Sequence, residues 1–511
     1  TTEIYTLSLH DALPIFLLLL LSACGAPQTL DFSYAPEGEE LSSLMVETSQ
    51  THRAELEHVP SAADFADAIS DAPASAGLLS ESEVESLLRG HAAMETVSKE
   101  QSQSDVSLLF RTLQSAYGAY EYFGQEKFDA AEDAVTQWLS SQDDEIKVSA
   151  LGEKLQESLA FMLTHDAHAM IYEPAAEEIE AQVRYEYFFA DGFFFSKDVN
   201  GSYYMVNDGE RWTLSSFSDE HVSVQPTLLQ DGRIVYQPTL FALRKDAVQS
   251  SVTLKNSSGK AKIYRLDWTE SQPLDVDLGT LDYRLIQEDG LTYVSLRSLV
   301  SGTYDNMLAR YAREGAKARG SKAVIYDLRG NVGGSDSWPR KWIQSFLGTQ
   351  NSIETSMLYA QKNSALFAAE NSESLLPEDE GTCFAREVHG TWYENDIPII
   401  VLVDDHCGSS GEGAVQLLKT LDNVLVVGSN TAGYQLCGNI STFTLPYTGI
   451  GVRFGSTLFL YGDGENVDHR GYVPDVWCDP QDALASVLAL LKEQGVVSAD
   501  ACETVREKIV K

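Results

Sequence analysis

The sequence has few basic residues for its length. Its 511 residues include 36 Lys and Arg against 76 Asp and Glu, a formal net charge of −40 at pH 7. A protein that binds nucleic acid or an anionic membrane surface through bulk charge needs the opposite balance. The charge therefore argues against nucleic acid as a partner and favours an acidic protein kept in solution outside the cell. The length allows two to four domains of roughly 150 residues each.

The apolar run near the start of the chain is too short for a membrane-spanning helix. Residues 16–25 read FLLLLLSACG, which is typical of the apolar part of a signal peptide. Leu21-Ser22-Ala23-Cys24 resembles the lipobox of bacterial lipoproteins. That resemblance implies a lipid on Cys24 and an extracytoplasmic protein anchored to a bacterial membrane. A chance apolar run before a cysteine is the alternative.

The first fifteen residues lack both Met and positive charge. They read TTEIYTLSLHDALPI, whereas a signal peptide opens with Met and carries Lys or Arg before its apolar run. We interpret residues 1–15 as a translated sequencing adapter joined to a truncated gene. Residues 16–24 are then the remainder of a signal peptide and lipobox.

Cysteine is scarce, and no two cysteines have the spacing of a metal site. The six are Cys24, Cys383, Cys407, Cys437, Cys478 and Cys502. Without a CxxC or CxxH motif, the sequence predicts no metal and no organic cofactor. With Cys24 lipidated, five cysteines remain, so at most two disulfides form, and their pairing stays open.

Three regions of different pattern follow the apolar run. Residues 25–60 are polar, acidic and weakly periodic, which indicates a tether. Residues 61–175 predict a helical domain, because apolar residues recur at three- and four-residue spacings in 105–123 and 148–165. Residues 176–274 are aromatic, alternating and broken by Asp-Gly and Asn-Gly, which predicts a β-rich module.

Residues 275–495 alternate predicted strands with predicted helices, and residues 496–511 are left as a C-terminal tail. Strands at 322–330 and 397–403 each run into a Gly-rich turn and then a helix. This βαβ pattern predicts a mostly parallel sheet covered by helices. Ligands of such sheets bind beyond the carboxyl ends of the strands, where both Gly-rich turns lie.

The second of these turns, DDHCGSSGEG, places two serines at the start of a helix. A hydroxyl on Ser409 would extend beyond the sheet edge. The first N–H groups of the helix lack intrahelical acceptors and can stabilise an oxyanion. Serine is also a favoured helix cap, and SSGE resembles a capping box. The stretch alone therefore leaves a nucleophile and a plain cap both open.

Four motifs in order favour the catalytic interpretation. They are AVIYDLRGNVGGS, IIVLVDDHCGSSGEGAV, VLVVGSNTAGY and RGYVPDV. Together they resemble the S41 peptidases, which include C-terminal processing proteases, the tricorn core protease and the interphotoreceptor retinoid-binding proteins. The resemblance implies an α/β fold with a mostly parallel, ClpP/crotonase-like core, an N-terminal helical domain and a β-rich module in the position of a PDZ domain.

The resemblance also implies roles for particular residues. The family nucleophile lies three residues before the Glu that begins the helix, which implies Ser409 before Glu412. The N–H of Ser410 would be one oxyanion donor, and that of Gly333 or Gly334 would be the other.

The residue that would act as general base is harder to assign, because Tyr434 stands where the processing proteases have their lysine. A phenol with a reference pKa near 10 is a poor proton acceptor at neutral pH, so Tyr434 is interpreted as a wall of the pocket. The tricorn branch uses a histidine from the preceding domain, and THDAHAMI implies His168. The same branch implies Asp468 of VDHRGYVPDV as the carboxylate that orients the imidazole, with Asp in place of the family's Glu.

Other roles remain open for several of these residues. His165 lies close to His168 and suits a helix end. His406 and His469 are rival bases within the C-terminal region. Asp468 is equally suited to forming a turn.

The sequence thus predicts a serine endopeptidase of the tricorn type, held on a membrane by lipid, that cleaves peptide or protein substrates through an acyl-enzyme. The alternatives are an inactive binding protein of the same fold, for a hydrophobic ligand or a peptide, and a surface scaffold.

Overall fold

The computed structural model describes most of the chain after the apolar run. The described residues are 27, 34–69, 79–172, 185–243, 250–272, 274–278, 282–302, 304–371 and 379–510. The predictions for residues 1–15, residues 16–24 and Cys24 lie outside them. Within them, no helix combines the length and apolarity that crossing a membrane requires.

The first part of the chain is mainly helical. Its helices are α1 (Leu41–Glu57), α2 (Glu81–Arg89), α3 (Lys99–Ala116), α4 (Tyr120–Phe123), α5 (Gln125–Ser140), α6 (Val148–Ser158) and α7 (Ala160–Leu163), with a 3₁₀ turn at Ala66–Ala68. Its short strands are β1 (Thr96–Ser98), β2 (Glu145–Lys147) and β3 (Met170–Tyr172). The predicted helix at 105–123 is divided between α3 and α4. Between them, Gly118 packs so closely on the backbone of Ser456 and Thr457 that an added Cβ would lie 2.7 Å away.

Helix α1 corrects the prediction of an irregular tether at 25–60. Its buried face includes Leu41, Leu44 and Met45, which pack into the same apolar core as the strands of the C-terminal region. The periodicity was weak because the buried face continues through Thr48 and His52, which are polar. Tertiary contacts therefore stabilise a helix that the apolar pattern of its sequence does not predict.

The middle of the chain forms strands that belong to two sheets. They are β4 (Tyr185–Ala190), β5 (Ser196–Lys197), β6 (Tyr203–Asn207), β7 (Glu210–Phe217), β8 (Val222–Leu228), β9 (Ile234–Leu243), β10 (Ser250–Lys255), β11 (Ala261–Leu266) and β12 (Trp268–Glu270). In the order β11-β10-β7-β6-β5, five of them form one sheet. The other four extend the central sheet of the molecule, so this region is continuous with the region that follows.

The C-terminal region alternates strands with helices. Its strands are β13 (Tyr283–Glu288), β14 (Leu291–Leu296), β15 (Ala323–Asp327), β16 (Met357–Lys362), β17 (Cys383–Val388), β18 (Ile399–Val403), β19 (Val424–Gly428), β20 (Cys437–Thr444), β21 (Gly451–Tyr461) and β22 (Val476–Trp477). Its helices are α8 (Asp305–Glu314), α9 (Ser337–Leu347), α10 (Ala365–Asn371), α11 (Ser410–Leu418), α12 (Ala483–Glu493) and α13 (Ala499–Val510), with a 3₁₀ turn at Gly315–Gly320. Helix α13 lies within the predicted tail.

The central sheet has the strand order β12-β4-β9-β8-β22-β19-β18-β15-β14-β13. Its six strands from β8 to β14 are parallel neighbours, and its other pairs are antiparallel. The α/β class is confirmed. The centre of the sheet is parallel, and its antiparallel pairs lie at the two ends, where strands from the middle of the chain extend one of them.

The segment that carries the predicted base is built into the C-terminal region. Strand β3 pairs with β21 in the register Met170↔Arg453 and Tyr172↔Gly451. The helices α3 to α7 share one apolar core with β16, β20 and β21. His168, two residues before β3, is therefore fixed to the sheet of order β17-β16-β21-β20, which is separate from the central sheet that contains β18.

A buried ion cluster closes the carboxyl ends of β14 and β15. Asp327, which is fully buried, lies 3.1 Å from Arg297 and 2.6 Å from Arg329. Its carboxylate also accepts a hydrogen bond from Tyr293 at 2.8 Å. Burial opposes ionisation, but the two guanidinium groups outweigh it and hold the pKa of Asp327 far below its usual range.

Replacing Asp327 with Ala is expected to lower the free energy of unfolding by about 3–5 kcal/mol, because it leaves two buried cations unpaired. The exposed pair of Asp231 with Arg233 provides the control, and Asp231→Ala should cost at most about 1 kcal/mol. Since the folded-state pKa of Asp327 is lowered, its contribution is present above the unfolded pKa and lost as the pH falls. Urea denaturation at neutral pH measures both variants, and equal losses would contradict a stabilising role for the cluster.

The five cysteines in the described part, Cys383, Cys407, Cys437, Cys478 and Cys502, are all buried and form no disulfide with one another. None of the pairings left open by the sequence is therefore formed.

Candidate active site

Ser409 lies at a strained turn between β18 and α11. Its backbone has φ 53° and ψ −123°, a conformation that costs a residue with a side chain of the order of 1–3 kcal/mol and that clusters at functional sites. The residue is half-buried, and it directly precedes α11. A strand-turn-helix of this kind presents the serine hydroxyl at the carboxyl edge of the sheet.

Glu412 holds this turn from inside. Its fully buried carboxylate accepts hydrogen bonds from the N–H of Ser409 at 3.0 Å, of Gly433 at 2.9 Å and of Tyr434 at 2.8 Å, and from the Thr431 hydroxyl at 2.5 Å. Burial raises the pKa of Glu412, and these hydrogen bonds oppose the rise. The sequence identified Glu412 only as the start of a helix. In the structure, Glu412 joins the turn that contains Ser409 to the 431–434 turn.

The NVGG turn lies against Ser409. A Cβ added to Gly333 would be 2.8 Å from the Ser409 Cβ and 2.8 Å from the Gly408 carbonyl oxygen. The Gly333 N–H donates to the Asn331 Oδ1 at 2.9 Å, and the Gly408 N–H donates to the Asn331 carbonyl at 2.9 Å. Within the described residues, neither the Gly334 nor the Ser410 N–H donates a hydrogen bond. Ser410 directly follows Ser409, and Gly334 directly follows Gly333, so each offers an unused donor on one of the two turns.

His168 is buried on the other side of the 434–435 turn. It is 3 % exposed, and its ring packs edge-on against the Tyr434 ring with 5.1 Å between centroids. Its Nδ1 is buried without a hydrogen-bond partner among the residues described. Burial, and secondarily the charge of Arg453, lower the pKa of His168 to about 3. The imidazole is therefore neutral at neutral pH, and in this buried position it is a weaker proton acceptor than an ordinary histidine.

The Asp468 carboxylate contacts backbone rather than the imidazole. It accepts hydrogen bonds from the N–H of Ala167 at 2.9 Å, of Gln435 at 2.6 Å and of Leu436 at 2.8 Å. Burial raises the pKa of Asp468 well above its usual range, and the charge of Asp166 adds to that rise. The aspartate thus fixes the residue before His168, whereas the sequence placed it at the ring itself. Asp, one methylene shorter than the family's Glu, has a shorter reach.

Ser409 and His168 are near each other but not in direct contact. The Gln435 Nε2 donates to the Ser409 carbonyl at 3.0 Å, and Tyr434 touches both the His168 ring and the backbone next to Ser409, since a Cβ on Gly408 would lie 3.2 Å from its ring. In the part of the chain that is described, no hydrogen bond joins Ser409 to His168. The 434–435 turn therefore separates the two residues while contacting both.

The rival histidines have other environments. The Thr164 hydroxyl and the His165 Nδ1 are 2.9 Å apart. His406 donates its backbone N–H to the Asp404 Oδ1 at 3.2 Å, and its ring Nδ1 is buried without a partner in the described structure. His469 has φ 63° and donates its backbone N–H to the Gly433 carbonyl at 2.9 Å. Burial lowers the pKa of His469.

A pocket of about 530 Å³ lies beside the 434–435 turn. Gln435 and Leu436 line it together with residues from the end of α1 and from the 463–467 loop. Ser409 and His168 are not among its lining residues. No group of three or more His, Cys, Asp or Glu suited to a metal ion occurs in the described ranges.

One family model and several solved structures are similar to this chain. The model for peptidase family S41 matches residues 290–477, which include the NVGG turn, Ser409 and Asp468 but not His168. Solved structures of similar fold include mature CPAF, with 13 % identity, a TM-score of 0.42, and 78 % of this chain and 98 % of that chain covered.

Two further solved structures are similar. The photosystem II D1 C-terminal processing protease has 15 % identity and a TM-score of 0.38, with 78 % and 98 % of the two chains covered. The tricorn protease has 15 % identity and a TM-score of 0.35, with 81 % of this chain and 37 % of that chain covered. The search of curated proteins returned no significant match. Residues 290–477 of this chain are thus similar to peptidase family S41, as the sequence motifs within them predict.

Proposed function

We propose that the protein is an extracytoplasmic endopeptidase that cleaves peptide bonds through an acyl-enzyme on Ser409. In the first step the Ser409 oxygen attacks the peptide carbonyl, its proton passes to His168, and the same proton then goes to the leaving amine. In the second step His168 takes a proton from water, the hydroxide attacks the acyl carbonyl, and His168 returns the proton to the Ser409 oxygen as the acyl–oxygen bond breaks. Both steps leave His168 neutral at their end.

The oxyanion of each tetrahedral intermediate is stabilised by backbone N–H groups. The Ser410 N–H is at the first residue of α11, where no intrahelical acceptor exists. Of the two glycines that the sequence nominated, Gly334 is favoured, because the Gly333 N–H already donates to Asn331. Gly333 serves by letting the NVGG turn approach Ser409 closely.

Proton transfer requires His168 to approach the Ser409 hydroxyl. Catalytic hydrogen bonds are often loose without substrate and tighten in the Michaelis complex. We infer that substrate binding shifts the 434–435 turn, which contacts both residues, and so brings the imidazole to the serine. Asp468 acts through the backbone of Ala167, which places it among the positioning residues.

The strained backbone of Ser409 is the observation that carries this proposal. A helix cap alone gives no reason for φ 53° in a serine, since an N-cap residue adopts an extended conformation without strain. A nucleophile held out of the sheet edge does give one.

Peptide hydrolysis by the purified protein tests the proposal. We expect a mixture of unstructured peptides to be cut at internal bonds, with products identified by mass spectrometry, and Ser409→Ala to produce none. Binding of a hydrophobic ligand or a peptide without any cleavage by the wild type would favour the inactive binding protein instead.

We further propose that Cys24 carries lipid and holds the protein on the outer face of a bacterial membrane. Each buried CH₂ of an acyl chain contributes about 0.8 kcal/mol, so two or more chains anchor stably. Cys24→Ser expressed from the natural locus should move the protein out of the membrane fraction or leave it unprocessed. An unchanged membrane fraction, together with a native protein mass that includes no lipid, would contradict the anchor.

A further inference from the structure

Two buried carboxyl groups hold consecutive N–H groups of the turn that carries His168. The Asp166 Oδ1 accepts from the His168 N–H at 2.9 Å, and the Asp468 Oδ2 accepts from the Ala167 N–H at 2.9 Å. Asp166 is 0 % exposed and Asp468 is 8 % exposed. The backbone next to the imidazole is therefore gripped from two directions.

Each carboxyl group also fixes a second part of the molecule. The Asp166 Oδ2 accepts from the Tyr117 hydroxyl at 2.8 Å, just after α3. The Asp468 Oδ1 accepts from the N–H of Gln435 at 2.6 Å, and Gln435 in turn donates to the Ser409 carbonyl at 3.0 Å. The pair thus joins the His168 turn to the helical region on one side and to the turn of the nucleophile on the other.

The charge on the pair matters because both groups are buried close together. Burial raises the pKa of Asp166, and burial together with the Asp166 charge raises that of Asp468. The titratable groups that face the two carboxyls in the described structure are Tyr117, Tyr122, His168, Cys437 and Tyr472, with Arg453 acting on His168. Each of two neighbouring carboxyl groups in such a site disfavours the ionisation of the other.

We propose that Asp166 is a positioning residue of the peptidase reaction. With Asp468 it clamps the His168 backbone and so sets the distance over which the imidazole reaches Ser409. This inference rests on the proposed role of His168 as base. As the pH rises and both groups ionise, two anions stand side by side, the clamp loosens, and kcat falls.

Two substitutions separate the parts of this role. Asp166→Ala removes the acceptor for the His168 N–H and should lower kcat by about 10²-fold, the order expected for a misplacement of about 1 Å, with KM changed much less. Asp166→Asn keeps an acceptor oxygen but cannot ionise. It should restore most of the kcat lost in Asp166→Ala and should move the alkaline decline of kcat to higher pH.

Asp105 provides the matched control. It is a buried carboxylate of α3, 1 % exposed, that accepts the Thr448 N–H at 2.8 Å and lies outside the His168 clamp. Asp105→Ala should lower the melting temperature, while the folded fraction keeps the wild-type kcat and pH profile. A comparable loss of kcat in Asp105→Ala would show that the effect of Asp166→Ala comes from a general loss of stability.

The inference is overturned if Asp166→Ala has wild-type kcat, or if Asp166→Asn shows the wild-type alkaline limb. Should Asp166→Ala not fold, the pH profile of Asp166→Asn alone decides. Failure of the proposed function is a separate outcome, because it appears as hydrolysis that persists in Ser409→Ala or His168→Ala.

Discussion

Replacing Ser409 with Ala and replacing His168 with Ala should each lower kcat for peptide hydrolysis by roughly 10⁶-fold, and the double variant should be no worse than either single one. The reason is that the serine cannot attack while it keeps its proton, and the base has no purpose without the serine. Steady-state kinetics on one cleaved peptide measures all three proteins. Circular dichroism shows whether they remain folded.

His406→Ala is the matched control for this prediction. It lies three residues before Ser409 and is the nearest rival base in the sequence, yet its ring is not part of the network that links Ser409, Gln435 and Asp468. Near wild-type kcat/KM is expected for it. Wild-type kinetics in His168→Ala together with an inactive His406→Ala would show that the base is local to the turn.

The same assignment predicts the acid limb of the pH profile. Burial lowers the pKa of His168 to about 3, so the neutral, proton-accepting form persists as the pH falls below the ordinary range of histidine. Measured kcat/KM, which reports the protonation of the free enzyme, should therefore stay flat between pH 7 and pH 5. With an exposed imidazole, whose reference pKa is near 6.5, kcat/KM would fall over that range.

Gly333→Ala should lower kcat by about 10²–10³-fold, the order expected when an oxyanion donor is lost. The added methyl would lie 2.8 Å from the Ser409 Cβ and 3.0 Å from the Ser410 nitrogen. It therefore pushes the nucleophile and a predicted oxyanion donor out of place together. Larger side chains such as Val should have at least the same effect.

Gly302→Ala separates the steric contact with Ser409 from the energetic cost of placing a side chain at a positive φ. Gly302 has φ 108°, similar to φ 99° at Gly333, but a Cβ there meets no atom within 4 Å. Both substitutions strain the backbone, and only Gly333→Ala reaches Ser409. Equal kcat values in the two variants would show that the NVGG turn is not part of the oxyanion hole.

The sequence predicts most of the strands and helices around the site. The helix expected after the first Gly-rich turn is α9, and the predicted strands at 322–330 and 397–403 contain β15 and β18. These segments are uniformly apolar or strongly periodic, so their local pattern agrees with their place in the fold. The order of the motifs also nominates Ser409 as the nucleophile, because the spacing to Glu412 is local.

The contacts that arrange the site could not be predicted in the same way. Asp166, Glu412 and Asp468 are acidic residues in an acidic chain, and only the tertiary structure buries them as acceptors of backbone N–H groups. The pairing of β3 with β21, which fixes the position of His168, joins residues about 280 positions apart and leaves no local signal.

The rate and position of covalent labelling by a fluorophosphonate test the central claim most directly, because this small probe reacts with an activated serine without needing a peptide. Mass spectrometry of the digested protein should place the label on Ser409, with a rate at least 10²-fold lower in His168→Ala, as expected when a general base is lost, and unchanged in His406→Ala. A label on another residue, or labelling of Ser409 at the wild-type rate in His168→Ala, would contradict the assignment of Ser409 and His168 as nucleophile and base.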